Sequence, residues 1–132
     1  MKKGYIILLI IFMSCYSGST KKGQPWEGIE NNILRIAVYE FHPEDEDTSI
    51  YRERVLLTGK SRAALILVSH ASLNIERKKV TPLTDALLNR VITEIIENGK
   101  IISIDCRDSG YCLTLIEYNI EGLTAALQEI NN

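Results

Sequence analysis

Two short apolar runs, Ile101-Ile102-Ser103-Ile104-Asp105 and Leu113-Thr114-Leu115-Ile116-Glu117-Tyr118, stand seven residues apart in this chain. Both alternate, at least in part, and a period of two puts every second side chain on one face of a strand. Between them runs Cys106-Arg107-Asp108-Ser109-Gly110-Tyr111-Cys112. Its Asp-Ser-Gly centre is turn chemistry, so the segment predicts a β-hairpin. A lone hairpin is marginal in water, so the rest of the chain must cover its apolar face. A five-residue loop sets Cys106 opposite Cys112, and an oxidising compartment would let them close the hairpin tip as a disulfide. Two reduced small hydrophobes, or a register that separates them, are the alternatives. Zinc is not indicated, because the CxxC spacing and further ligands are missing.

The covering elements are legible upstream. Ile33 to Phe41 is apolar and partly alternating and predicts a strand. A second strand is expected over Tyr51 to Leu57. Ser61 to about Lys79 predicts a helix capped by Ser61, with Ala63, Ala64, Leu67, Ala71, Asn74 and Ile75 at helical spacing and Ile66, His70 and Leu73 widening the stripe. Thr81-Pro82 restarts a helix, since Thr caps and Pro suits the first turn. That helix runs to Asn98 through Leu83, Leu87, Leu88, Val91, Ile95 and Ile96, with Gly99 as its stop. Glu121 to Ile130 closes the chain as a short amphipathic helix. The order β(β)ααββα argues an α+β fold: a small, mainly antiparallel sheet with helices packed on one face.

The N-terminus has a different character. Met1-Lys2-Lys3-Gly4 is basic, Tyr5 to Met13 is an unbroken apolar run, and the small Ser14 precedes Cys15. This is the build of a secretory signal, and nine residues are too few to span a bilayer core of roughly 30 Å. With Cys placed first after the cut, it resembles a bacterial lipoprotein signal with a permissive, spirochaete-like lipobox, since Phe12 stands where Leu is common. The resemblance implies a cut after Ser14 and acyl chains on Cys15, and two or more chains suffice for stable anchoring. Residues 1–14 are then the signal peptide, 15–23 the lipidated Cys and a flexible Ser/Gly/Lys tether, and 24–132 a single globular domain. Tyr16, where enteric bacteria use Asp for inner-membrane retention, points to the outer membrane. Removal of Lys2 and Lys3 with the signal takes the formal charge from −2 to −4, which gives no electrostatic reason to bind nucleic acid.

Pro25-Trp26, then a strand, then Gly59-Lys60-Ser61-Arg62-Ala63-Ala64 opening a helix, is similar to small outer-membrane lipoproteins of the Helicobacter Lpp type. It also resembles the amino-terminal domain of flagellar assembly protein T. The resemblance implies a small envelope domain for protein contacts and carries over no catalytic residues.

Gly59-Lys60-Ser61 lacks the upstream Gly of a phosphate-binding loop, since that position holds Arg54. His42 and His70 are the only histidines, and His70 falls within the apolar pattern of a helix. Glu44-Asp45-Glu46-Asp47 is acidic but lacks EF-hand spacing. Arg52, Arg54, Lys60 and Arg62 read as solvent-exposed charges. The expectation is a non-enzymatic, cofactor-free, lipid-anchored envelope protein acting through contacts with other envelope proteins, with Trp26 or the acidic loop as contact points. The alternative is a periplasmic module binding a small ligand or a metal through the acidic loop and His42.

Overall fold

The computed structural model describes Glu27 to Asn132. The signal 1–14, Cys15, the tether 15–23 and Pro25-Trp26 lie outside the described residues. The elements are β1 (Gly28–Glu30), β2 (Ile33–Phe41), α1 (Thr48–Asn74), a 3-10 turn (Arg77–Lys79), α2 (Pro82–Ile96), β3 (Lys100–Cys106), β4 (Tyr111–Asn119) and α3 (Glu121–Asn131). The strands form one antiparallel sheet in the order β1-β2-β4-β3. The fold is α+β. Its centre is the pairing of β2 with β4, from Ile33 opposite Asn119 to Phe41 opposite Tyr111.

Alternation explains which face the helices cover. Leu34, Ile36 and Val38 of β2 and Cys112, Thr114, Ile116 and Tyr118 of β4 share one face, and all are buried. Tyr51, Val55, Ala63 and Leu67 of α1, Leu88, Ile92 and Ile95 of α2, and Leu123 and Leu127 of α3 complete that core. The C-terminal hairpin predicted from the sequence is β3–β4, with Gly110 in its turn at φ 96°.

One predicted strand is a helix. The expected strand over Tyr51 to Leu57 is the start of α1, a single helix from Thr48 to Asn74. Asp47 caps it by accepting from the Ser49 N–H at 3.1 Å, so Ser61, expected as the cap, lies in mid-helix. The helix ends before Arg77–Lys79, which form the separate 3-10 turn. The local alternation Tyr51, Glu53, Val55 misleads because the controlling period is longer. The buried positions are Tyr51, Val55, Gly59, Ala63, Leu67 and Ala71, each four residues apart. Four residues overshoot a 3.6-residue turn by about 40°, so the stripe winds round the helix. Its first half meets the sheet, and its last half meets α2 across the groove of Ala71, Ile75, Leu88 and Ile92. Leu73 and Asn74, expected in the buried stripe, are exposed. Leu83, expected on the buried side of α2, is also exposed, the buried residues being Leu88, Ile92 and Ile95.

The extra strand lies elsewhere. β1 precedes β2 and turns into it through Asn31 (φ 53°) and Asn32 (φ 63°). Two left-handed residues in a two-residue loop make the turn favoured in hairpins, and Asn tolerates that backbone. The Thr81-Pro82 restart stands as read from the sequence. Thr81 and Thr84 cap reciprocally, and Pro82 occupies the first turn.

Tyr118 is the largest polar residue carried into this core with its hydroxyl unpartnered. Burial pushes its pKa up to about 12, against a weaker opposing pull from Arg62. The unfolded phenol releases its proton near 10 while the folded one keeps it, so folding stability is lost as the pH rises from 10 to 12. Tyr118→Phe is expected to flatten that loss, measured as the difference between the two proteins' urea midpoints across this window.

Candidate functional site

Among the described residues, no helix covers the second face of the sheet. The odd-numbered residues of β2 and β4 point there: Arg35, Ala37, Tyr39 and Phe41 lie opposite Glu117, Leu115, Leu113 and Tyr111. One end of the face is polar. The Arg35 guanidinium donates to Glu117 Oε2 through Nε at 3.2 Å and Nη2 at 2.6 Å, and Lys100 of β3 lies opposite Glu117 on the other side. The other end, toward the hairpin tip, is aromatic. Tyr39 stacks on Tyr111 with ring centroids 5.4 Å apart, and Phe41 tilts against Tyr111 at 5.3 Å. Cross-strand and diagonal neighbours bring such rings together. The three remain 55%, 44% and 43% exposed. A solvated sheet face is ordinarily polar at these positions, which makes the exposed aromatic row the candidate contact surface.

The hairpin tip behind this row is fixed by three features. Cys106 and Cys112 lie directly opposite each other, with their sulfurs at disulfide distance, 1.98 Å. The Arg107 N–H donates to the Tyr111 carbonyl at 2.9 Å, which places Cys106 and Cys112 at the next, non-hydrogen-bonded position, where side chains come closest. The His42 N–H donates to the Gly110 carbonyl at 2.8 Å and ties the tip to the end of β2. Closing so short a loop by a disulfide contributes about 2 kcal/mol in the chain-entropy account. Reduction, or Cys106→Ser with Cys112→Ser, is expected to lower stability by about that amount, read from urea unfolding with and without reductant.

The acidic loop is largely a structural part. Asp47 caps α1. Glu46 accepts from Arg54 Nη2 at 2.6 Å, and Arg54 Nη1 donates to Glu40 at 2.6 Å. These carboxylates hold the Arg54 guanidinium's pKa above its ordinary value, Glu46 foremost. Glu40 also accepts from the Thr58 hydroxyl at 3.0 Å. His42 stacks on Tyr51, with centroids 4.5 Å apart and planes 6° from parallel. Its Nδ1 lies 3.4 Å from Glu46, outside hydrogen-bond geometry. Only Glu44 and Asp45 of the loop's four acids remain exposed without a structural role. Among the described residues, no three His, Cys, Asp or Glu side chains group closely enough to hold a metal ion.

The basic residues expected to decorate solvent are mostly engaged in the fold. Arg54, Lys60 and Arg62 pair with Glu40 and Glu46, Glu97, and Glu27. Arg62 also donates to the Ala37 carbonyl at 2.6 Å, and Arg54 to the Phe41 carbonyl at 3.1 Å. β1 pairs with β2 only as far as Arg35. The two guanidiniums therefore satisfy carbonyls on the edge of β2 that no strand pairs among the described residues, and blunt it against foreign strands. His70 is half-buried at the core edge, in contact with Asn74, as its place in the helical pattern suggested.

At the far end of the sheet an open cleft of about 470 Å³ is lined by Asn31, Asn32, Asn74, Asn131, Gln128 and His70, with Ile29 and Leu127. Its amides hold elements together. Asn131 accepts from the Glu76 N–H at 2.9 Å and donates to the Asn74 carbonyl at 2.8 Å, and Asn32 Oδ1 accepts from the Thr124 hydroxyl at 2.7 Å.

The aromatic row was missed in the sequence because its members come from two strands 70 residues apart and meet only through the β2–β4 register. The available signal was Tyr39 and Phe41 falling on the odd, non-core parity of β2. Comparison with protein-family models, curated proteins and solved structures found no match.

Proposed function

We propose that the chain is a lipid-anchored protein of the bacterial envelope, held through Cys15 in the outer membrane, whose α+β domain binds another envelope protein. The observation that carries the binding role is the exposed aromatic row Tyr39, Phe41 and Tyr111 on the uncovered sheet face. Aromatic side chains supply large contact area at low entropic cost and are enriched at interfaces. The anchor follows from the basic start, short apolar run and Cys15. The likeness to small envelope lipoproteins is left resting on Pro25-Trp26, because Gly59 to Ala64 lie in the middle of α1 and open no helix.

The test is position-specific photo-cross-linking in the native host. A photoreactive phenylalanine at Tyr39 or Tyr111 is expected to trap one discrete protein, while the same group at Arg90, exposed on α2, traps none. Equal labelling from all three positions, or none from any, would remove the sheet face as the docking surface. Intact mass of the native protein tests the anchor separately: acyl mass on a chain starting at Cys15 is expected.

A further inference from the structure

We propose that the outer ridge of α1 lies on the bilayer that carries the anchor, so that the domain sits helix-side down with its aromatic sheet face turned outward. The proposal rests on the lipid-anchor reading above. Directly opposite the buried stripe of α1 runs a second line four residues apart: Leu57, Ser61, Leu65, Ser69 and Leu73. Its three leucines are 65%, 74% and 81% exposed. From Ala63 to Ile75 the chain has no Asp, Glu, Lys or Arg. A surface helix normally turns charge to water on this side. Here the outer side is apolar and neutral, with basic Arg77, Lys78 and Lys79 following at one end, the build of a helix that lies in a headgroup layer.

The occupant is identified by where the undescribed chain ends. That chain joins the domain at Glu27, which pairs with Arg62 on the flank of α1. Two residues on, Ile29 shares a shallow groove with Leu65, Ile66 and Leu73. The tether therefore meets the domain beside this ridge. Eleven residues, Tyr16 to Trp26, separate the anchor from Glu27. Even fully extended they reach no more than ~40 Å. A surface held so near a bilayer meets it at high effective concentration, so an individually weak apolar contact becomes populated. The ridge and the aromatic row lie on opposite sides of the helix and sheet layers. Seating the ridge on lipid leaves the row free for a partner.

The experiment uses the native, lipidated chain in vesicles of phosphatidylethanolamine and phosphatidylglycerol, with and without brominated acyl chains. Trp26 is the only tryptophan, so Trp26→Phe provides a dark background. In it, Leu65→Trp is expected to lose most of its emission to brominated lipid, and Tyr39→Trp almost none. Circular dichroism confirms that both exposed-site variants fold. Adding Leu57→Lys and Leu73→Lys to the Leu65→Trp protein is expected to restore its emission. Acyl mass on Cys15 with no quenching at Leu65 would overturn the ridge contact and leave the anchor standing. Energy transfer between labelled copies at Leu65, insensitive to bromination, would overturn it in favour of a second copy of the chain. A chain without acyl mass would remove the anchor reading, a result the mass alone decides.

Discussion

Gly59→Leu should lower the folding free energy by more than about 3 kcal/mol, and Gly59→Ala by about 1–3 kcal/mol, when urea unfolding is followed by circular dichroism. Both expectations reverse the usual rule. Ala in place of Gly inside an exposed helix gains about 1 kcal/mol. Gly59, however, lies where α1 crosses the sheet. A Cβ there would stand 2.6 Å from Ile116 Cδ1 and 2.9 Å from the Tyr118 hydroxyl oxygen. Both neighbours are fully buried, so any shift must be made within the packed core. Ile116→Val should recover part of the Gly59→Ala loss by giving back a methylene. Ser61→Ala, two residues on and exposed, should change stability by no more than about 0.5 kcal/mol. A Gly59→Ala protein more resistant to urea than the parent would refute the close crossing.

The same glycine shows why part of the fold could be read from the sequence and part could not. The C-terminal hairpin, Ile33–Phe41 and the Thr81-Pro82 start are local signals: alternation, turn residues and a cap within a few positions of one another. α1 was cut in two because Gly59 looks like punctuation, whereas its small size answers a tertiary demand from Ile116 and Tyr118, almost 60 residues downstream. The Asp47 cap was hidden inside an acidic run that suggested a ligand site. The ion pairs of Arg54 and Arg62 were likewise invisible, because their partners Glu40, Glu46 and Glu27 come close only after the helix folds back over β2. The opposition of Cys106 and Cys112 is legible because hairpin register is local, while the aromatic row needs the long-range register of β2 with β4. Wherever a residue's role depends on an element distant in sequence, local pattern gave its type and missed its use.

Tyr51→Ala is expected to lower stability by about 3–5 kcal/mol, the range for removing a buried aromatic side chain. Tyr51 is fully buried and joins three elements. Its hydroxyl hydrogen-bonds Thr114 Oγ1 of β4 at 3.0 Å, its ring lies under His42, and the Arg54 guanidinium sits 5.3 Å from the ring centroid. Tyr51→Phe keeps the ring and loses the hydrogen bond, leaving the buried Thr114 hydroxyl unpaired for about 1–3 kcal/mol. Thr114→Val alone should lose a similar amount. The double replacement should lose less than the two singles together, because it leaves no orphaned hydroxyl. Hydrogen exchange supplies a second readout. The loop from His42 to Asp47 is held by the Tyr51 stack and by Glu46 with Arg54, so Tyr51→Ala should speed exchange at the Glu46 amide, which donates to the Pro43 carbonyl at 3.0 Å. Exchange there that stays as slow as in the parent would mean that the Arg54 pairs hold the loop without the tyrosine.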